Sequence, residues 1–202
     1  CEGLVGSEMC IRDSARTARA IFGESTQITA KRRSQAKAVN FWVIYGITWF
    51  GLSKMMPITP AEGKEYIETF YQTYPKVREY YDDLLEKARE DGYVQTFFGR
   101  KRWLPGLNDA NAMMRQAAQR EAINMPIQGT SADIIKFAMV EIDRKLQEKQ
   151  FQSRMIMQVH DELVFEVHQD EKQEIYSIVQ TVMEGVVDWM IPLSVNIWVG
   201  KN

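Results

Sequence analysis

The sequence is short of several things, and each shortage removes a class of protein. Cysteine occurs twice, as Cys1 and Cys10. Two thiols so close to the start make neither a disulfide framework nor a metal-ligand spacing, so a reducing compartment is the default. Histidine also occurs twice, at His160 and His168, too few for a zinc centre. No apolar run approaches the roughly 20 residues of a membrane-spanning helix, and no charged segment followed by an apolar core marks a signal peptide. Positive charge is not in excess: 25 Lys and Arg face 27 Asp and Glu, a net charge of −2. Nucleic acid would have to be held by local patches. There are no internal repeats and no low-complexity linker.

What remains is an ordinary globular composition, 45% hydrophobic and 26% charged over 202 residues, long enough for one or two cores. Residues 15–22 carry a short helical pattern with Gly23 as its cap. Thr29 is placed to cap a long helix that ends near Gly46. Residues 47–56 read as a short link or helical turn. Thr59 and Pro60 open a helix to about Tyr74, Pro75 breaks it, and a second helix runs to about Asp91. Residues 92–105 read as strand, turn, strand. A helix from about Asn111 to Asn124 is expected to stop at Pro126. Gln128-Gly129 then makes a turn, and a helix capped by Thr130 or Ser131 runs to about Gln150. After a hairpin over 155–167 come a helix from about Asp170 to Val187 and a closing strand, Leu193–Ile197. Helix, strand, strand, helix, strand suits an antiparallel sheet with helices packed on one face, so the fold class is α+β.

Three stretches carry chemistry. In Met155–Val167, two β-branched apolar runs flank His160, Asp161 and Glu162. That reads as a hairpin with carboxylates at its tip. Such a pair presents oxygen ligands to a hard cation such as Mg²⁺, but Asp and Glu are also ordinary turn residues. On the long helix, Arg33, Lys37, Phe41 and Tyr45 recur every four residues and form one slowly winding stripe. Its cations could grip a polyphosphate and its aromatics pack on a sugar and base. A solvated basic face running into a core face has the same spacing. Arg100, Lys101 and Arg102 form a second basic cluster, compatible with phosphate contact and equally with a solvated turn.

In combination these motifs are specific. Arg33-x-x-x-Lys37-x-x-x-Phe41-x-x-x-Tyr45-Gly46 resembles the nucleotide-binding fingers helix of family A DNA polymerases, the bacterial polymerase I type. The run Arg120 to Asp133 (REAINMPIQGTSAD) resembles that family's next segment, and Gln158 to Val164 (QVHDELV) its palm hairpin. All three fall in family order, and the resemblance covers about residues 15–202. It implies fingers over 15–112 and the C-terminal part of a palm over 113–202. The activity implied is template-directed DNA synthesis, by nucleotidyl transfer from a dNTP to a primer 3′-hydroxyl with release of pyrophosphate, in repair or replication. The alternative is a non-catalytic nucleic-acid-binding module derived from the same fold. Asp161 is implied as a metal ligand and catalytic residue of a two-Mg²⁺ site, with Glu162 beside it in a secondary role. Arg33 and Lys37 are implied as clamps on the triphosphate, Lys37 also favouring departure of pyrophosphate. Phe41 and Tyr45 would line the sugar and templating position. In this family, Phe in place of Tyr at position 41 goes with poor acceptance of dideoxynucleotides. Arg120, Asn124, Gln128 and His160 would follow the DNA. Implied partners are primer–template DNA and dNTP, with no membrane, in a protein monomeric at full length and cytoplasmic near the bacterial nucleoid.

Several positions depart from the family pattern. Nothing before Ala15 matches the Asp-x-Ser-x-x-Glu strand that carries the other metal-binding aspartate and the steric-gate glutamate, and the thumb is missing. The chain alone is therefore expected not to polymerise. Residues 1–14, ending in EMCIRDS, resemble a translated adapter remnant and are set aside as foreign. Trp42 and Trp198 stand where the family carries glycine, with Trp49 and Trp189 weaker cases. They are read as UGA codons meaning glycine in the source, a reading that UGG codons at 42 and 198 would refute. Ser34 stands where a second arginine is common, and Arg32-Arg33 supplies the pair one residue earlier.

Overall fold

A computed structural model describes residues 17–22 and 29–200. The expectations placed on residues 1–14 and on Gly23 lie outside them. The chain divides into two compact units between Ile127 and Gln128, and the architecture is α+β.

In the first unit, residues 17–22 are helical (α1), followed by α2 (Ala30–Ile44), α3 (Trp49–Met55), α4 (Pro60–Thr73) and α5 (Pro75–Asp91). Their starts are set locally. The Thr29 hydroxyl accepts the Arg32 N–H at 3.3 Å. The Thr48 hydroxyl accepts that of Gly51, and of the two readings of residues 47–56 the helical one forms, as α3. Thr59 and Glu62 form a reciprocal capping box with Pro60 at the first helical position, where a missing N–H costs nothing. Gly92 closes α5 in the left-handed region, φ 77°, which glycine enters without steric cost. Strands β1 (Tyr93–Gln95) and β2 (Lys101–Trp103) make a short antiparallel hairpin. One core gathers Val39, Val43, Leu52, Met56 and Phe70. A second gathers Ala88, Val94, Leu104 and Leu107 with Ala118, Ala122 and Met125 of the next helix.

That helix corrects the sequence reading. α6 runs unbroken from Ala112 to Glu148, with Pro126 inside it. Pro126 does not stop it, Gln128-Gly129 is not a turn, and Thr130 and Ser131 are helical rather than caps. Proline denies the helix one N–H and crowds the preceding turn. Here apolar residues on both sides of it are anchored in cores, Ala118, Ala122 and Met125 before and Ala138, Ile142 and Leu146 after. Burial of that length of helix outweighs the one lost bond.

In the second unit, β3 (Arg154–Val159) and β4 (Glu162–Glu166) pair antiparallel, with an irregularity between Met155 and Met157. α7 (Lys172–Gly185) follows a 3-10 turn at Gln169–Glu171. Leu163 and Phe165 of β4 pack on a core made by α6 and α7: Ala138, Ile142, Leu146, Ile175, Val179 and Val182. Helices thus cover one face of the hairpin, as expected. The closing strand does not form. Residues 193–200 carry no strand assignment, because a strand needs a neighbour for its N–H and C=O groups and no described strand pairs with them. The Val195 N–H goes to the Glu184 carboxylate at 3.1 Å instead, while Ile197 still packs on the core.

Candidate functional site

The long helix α2 turns the four-residue spacing into a surface. Ala36, Val39 and Val43 are buried, which leaves Lys37, Phe41 and Tyr45 half-buried along the adjoining stripe. Arg33 belongs to the same helix, and its side chain lies outside the described residues. The Phe41 and Tyr45 rings are 4.8 Å apart at 59°. Trp42 meets the Phe41 ring edge-on at 5.2 Å and 87° and packs partly against the first core. Such ring pairs are attractive beyond the area they bury, so Phe41 is held on two sides.

The C-terminal end of α2 is tied down from two other helices. Its last carbonyls lack intrahelical donors. The Tyr81 hydroxyl of α5 donates to the Ile44 carbonyl at 2.8 Å, and the Asn124 amide of α6 donates to the Tyr45 carbonyl at 3.4 Å. Burial first, then the neighbouring Tyr71, Tyr80 and Tyr45, pushes the Tyr81 hydroxyl up to about 12, so it remains a donor. Gly46 follows at φ 73°. A Cβ there would meet Ile123 Cδ1 at 3.3 Å and Arg120 Cγ at 3.6 Å. The fold therefore brings Tyr45, Arg120 and Asn124 to one place, with Arg120 exposed. Tyr81 had no role in the sequence reading. The only signal was a tyrosine where a buried stripe would accept phenylalanine.

Gln128, His160, Asp161 and Glu162 belong to the second unit. Gln128 is exposed on α6. His160 and Asp161 form the two-residue turn between β3 and β4, with His160 at φ 53°. Gln158 Nε2 donates to the His160 carbonyl at 2.9 Å and braces the turn. Glu162 is the first residue of β4, paired with Val159. All three tip residues are exposed. At the hairpin base, Glu171 accepts the Ser153 hydroxyl at 2.5 Å and the Gln152 and Ser153 N–H groups, each at 2.9 Å. Ser153 Oγ in turn accepts the His168 N–H. These bonds, the Ser153 hydroxyl first, hold the Glu171 carboxyl below its usual range.

Among the described residues no group of three or more His, Cys, Asp or Glu is placed to hold a metal. Asp161 and Glu162 offer hard oxygen donors. Mg²⁺ asks for a near-octahedral oxygen shell, of which protein carboxylates supply one or two members. Two carboxylates adjacent in sequence, one on the turn and one at the start of β4, thus fit part of such a shell and do not complete it.

The described site thus comprises a helix stripe with a cation and two packed aromatic rings, and a hairpin with carboxylates at and beside its turn. The chain belongs to DNA polymerase family A, whose family model matches residues 14–202. Metal dependence is general in that family. Relatives include the DNA polymerase I of Lactococcus lactis subsp. cremoris, 41% identical over 188 residues, which is 92% of this chain and 21% of the relative. That of Streptococcus pneumoniae is 44% identical over 179 residues, 88% of this chain and 20% of the relative. The solved polymerase domain of Pol1 from M. smegmatis, in complex with DNA primer-template and dNTP, superposes with a TM-score of 0.82 at 37% identity. It covers 91% of this chain and 32% of that domain. The chain spans about a fifth of the length of the curated relatives it matches.

Proposed function

We propose that this chain supplies the fingers, over residues 15–112, and the C-terminal part of the palm, over 113–202, of a template-directed DNA polymerase. The reaction is attack of the primer 3′-oxygen on the α-phosphorus of a dNTP. The new P–O bond forms as the bond to the β-phosphate breaks, and pyrophosphate leaves. Arg33 and Lys37, one helical turn apart, bind the triphosphate. Their charge favours the leaving pyrophosphate more as its negative charge grows. Phe41 and Tyr45 pack against the sugar and the templating position. Phe41 has no hydroxyl to stand in for a missing 3′-OH contact, so dideoxynucleotides are poor substrates. Arg120, Asn124, Gln128 and His160 follow primer and template. Minor-groove acceptors are alike for every correct pair, so these contacts test pair shape without reading sequence.

The metal implied is Mg²⁺, and the oxygen donors of Asp161, with Glu162 beside it, suit that ion. Nothing in the 202 residues matches the Asp-x-Ser-x-x-Glu strand of the second carboxylate. The whole protein is read as a monomer working in the bacterial cytoplasm near the nucleoid. No helix among the described residues is long and apolar enough to cross a membrane.

One observation carries the reading. Lys37, Phe41 and Tyr45 share one helix stripe whose end is tied to α6 beside Arg120, in a chain of this family. The test is a chimera in which residues 15–202 replace the matching segment of the Geobacillus stearothermophilus DNA polymerase I, 41% identical over 188 residues. The chimera should extend a primer on a template. Asp161→Ala should abolish turnover with primer–template binding largely kept. A chimera that folds and binds DNA without extending it, or an Asp161→Ala variant of full activity, defeats the reading.

A further inference from the structure

The carbonyls at the end of α2 are met in two different ways. Those of Trp42 and Val43 are served by the chain that follows. The Tyr45 and Ile47 N–H groups donate to the Trp42 oxygen at 3.2 and 3.0 Å, and the Gly46 N–H donates to the Val43 oxygen at 2.9 Å. Gly46 permits this turn through its φ of 73°, as glycine does at many helix ends. The Ile44 and Tyr45 carbonyls take side-chain donors instead, Tyr81 of α5 at 2.8 Å and Asn124 of α6 at 3.4 Å. These two donors are not equivalent. Tyr81 is 5% exposed, and its bond has the ordinary length for a hydroxyl donor. Asn124 is half-buried, and its bond lies beyond the usual N–H···O range. It also sits one helical turn from the exposed Arg120, on the same stripe of α6. Asn124 can therefore pass to another partner at little cost, whereas Tyr81 stays.

We propose that Tyr81 is a positioning residue for α2, holding the helix end in place when Asn124 leaves the Tyr45 carbonyl for DNA. The inference rests on the proposed function, which assigns Asn124 to primer and template. A shift of Asn124 toward DNA breaks a bond that is already long. The Ile44 carbonyl keeps its donor, so the last turn of α2 stays closed. The Phe41 and Tyr45 rings, 4.8 Å apart, then keep their places with duplex bound, as does the stripe they share with Lys37. Without the Tyr81 hydroxyl, both carbonyls lack donors once DNA is bound. The last turn then frays, and the Tyr45 ring is no longer fixed against Phe41. Tyr81 touches neither DNA nor nucleotide in this scheme and acts through the backbone.

The test is amide hydrogen exchange of the 202-residue chain, alone and with an excess of primer–template duplex. Anisotropy of a fluorescein-labelled primer follows binding. The reporters are the Tyr45, Gly46 and Ile47 N–H groups, which close the end of α2. In the parent chain their exchange should not rise when duplex binds. In Tyr81→Phe it should rise about tenfold on binding, the effect of one further hydrogen bond lost, beyond a smaller rise already present without DNA. In Tyr81→Phe with Asn124→Ala it should be fast with and without duplex, because no amide remains for DNA to draw away. Exchange at residues 36–43 should stay as in the parent, which separates loss of position from loss of fold. A merely structural Tyr81 would give a rise in Tyr81→Phe that duplex leaves unchanged. That result, or a rise in the parent on binding, overturns the inference and leaves the polymerase reading standing. A parent chain that fails to bind the duplex defeats the inference together with the assignment of Asn124 to DNA, and anisotropy tells the two failures apart.

Discussion

Tyr81 shows how much one hydroxyl can decide at the scale of a residue. Its ring belongs to the apolar packing of the first unit. Its oxygen reaches a carbonyl 37 residues away in sequence, at the end of the helix that carries Lys37, Phe41 and Tyr45. Tyr81→Phe keeps the ring and leaves the Ile44 carbonyl short of a donor. The expected cost is about 1 kcal/mol of stability, measured by chemical denaturation, with faster amide exchange at residues 45–47 than at 36–43. Exchange that stays even along α2 would remove Tyr81 from any positioning role. Asn124 serves the same helix end. The resemblance assigns it to DNA, and in this structure its amide also meets the Tyr45 backbone. Substituting it would therefore disturb the end of α2 as well as any contact with DNA.

At the scale of elements, the β3–β4 hairpin is anchored at its base rather than at its tip. Glu171 accepts three hydrogen bonds from Gln152 and Ser153 and has its carboxyl held below the usual range. A depressed carboxyl contributes stability that is fully present above its ordinary value and is lost as the pH falls through the lowered one. Thermal denaturation across that acidic window should therefore show the parent chain losing stability more steeply than Glu171→Gln. Equal slopes would mean the carboxylate does not hold the hairpin. Helix α6 gives the opposite lesson about local signals. Proline and glycine at 126 and 129 predict a boundary, yet the helix continues because its apolar residues are buried on either side of them.

At the scale of the whole molecule, charge and completeness decide behaviour. Primer–template contacts are expected to come from a few cations on a chain with no net positive charge, so affinity should fall steeply as salt rises. A chain with one hairpin carboxylate site and no matching second strand should bind primer–template without extending it. Incubating the purified chain with labelled primer–template, dNTP and Mg²⁺ tests this. Sustained templated extension would show that Asp161 and Glu162 suffice.

Much of the candidate site was legible in sequence because its signals are local. Thr29 caps α2, Thr59 and Glu62 make their box, and Pro75 and Gly92 bound α5. The apolar runs around His160-Asp161 fold on each other through a two-residue turn. Each of these depends on residues a few positions apart, and helical period alone puts Lys37, Phe41 and Tyr45 on one stripe. The tertiary structure decided whatever needed a distant partner. It carried α6 through Pro126, left residues 193–197 without a strand neighbour, and brought Tyr81 and Asn124 to the end of α2. Those outcomes turn on burial and on hydrogen-bond donors 37 and 79 residues away. Local spacing along the chain holds no record of either.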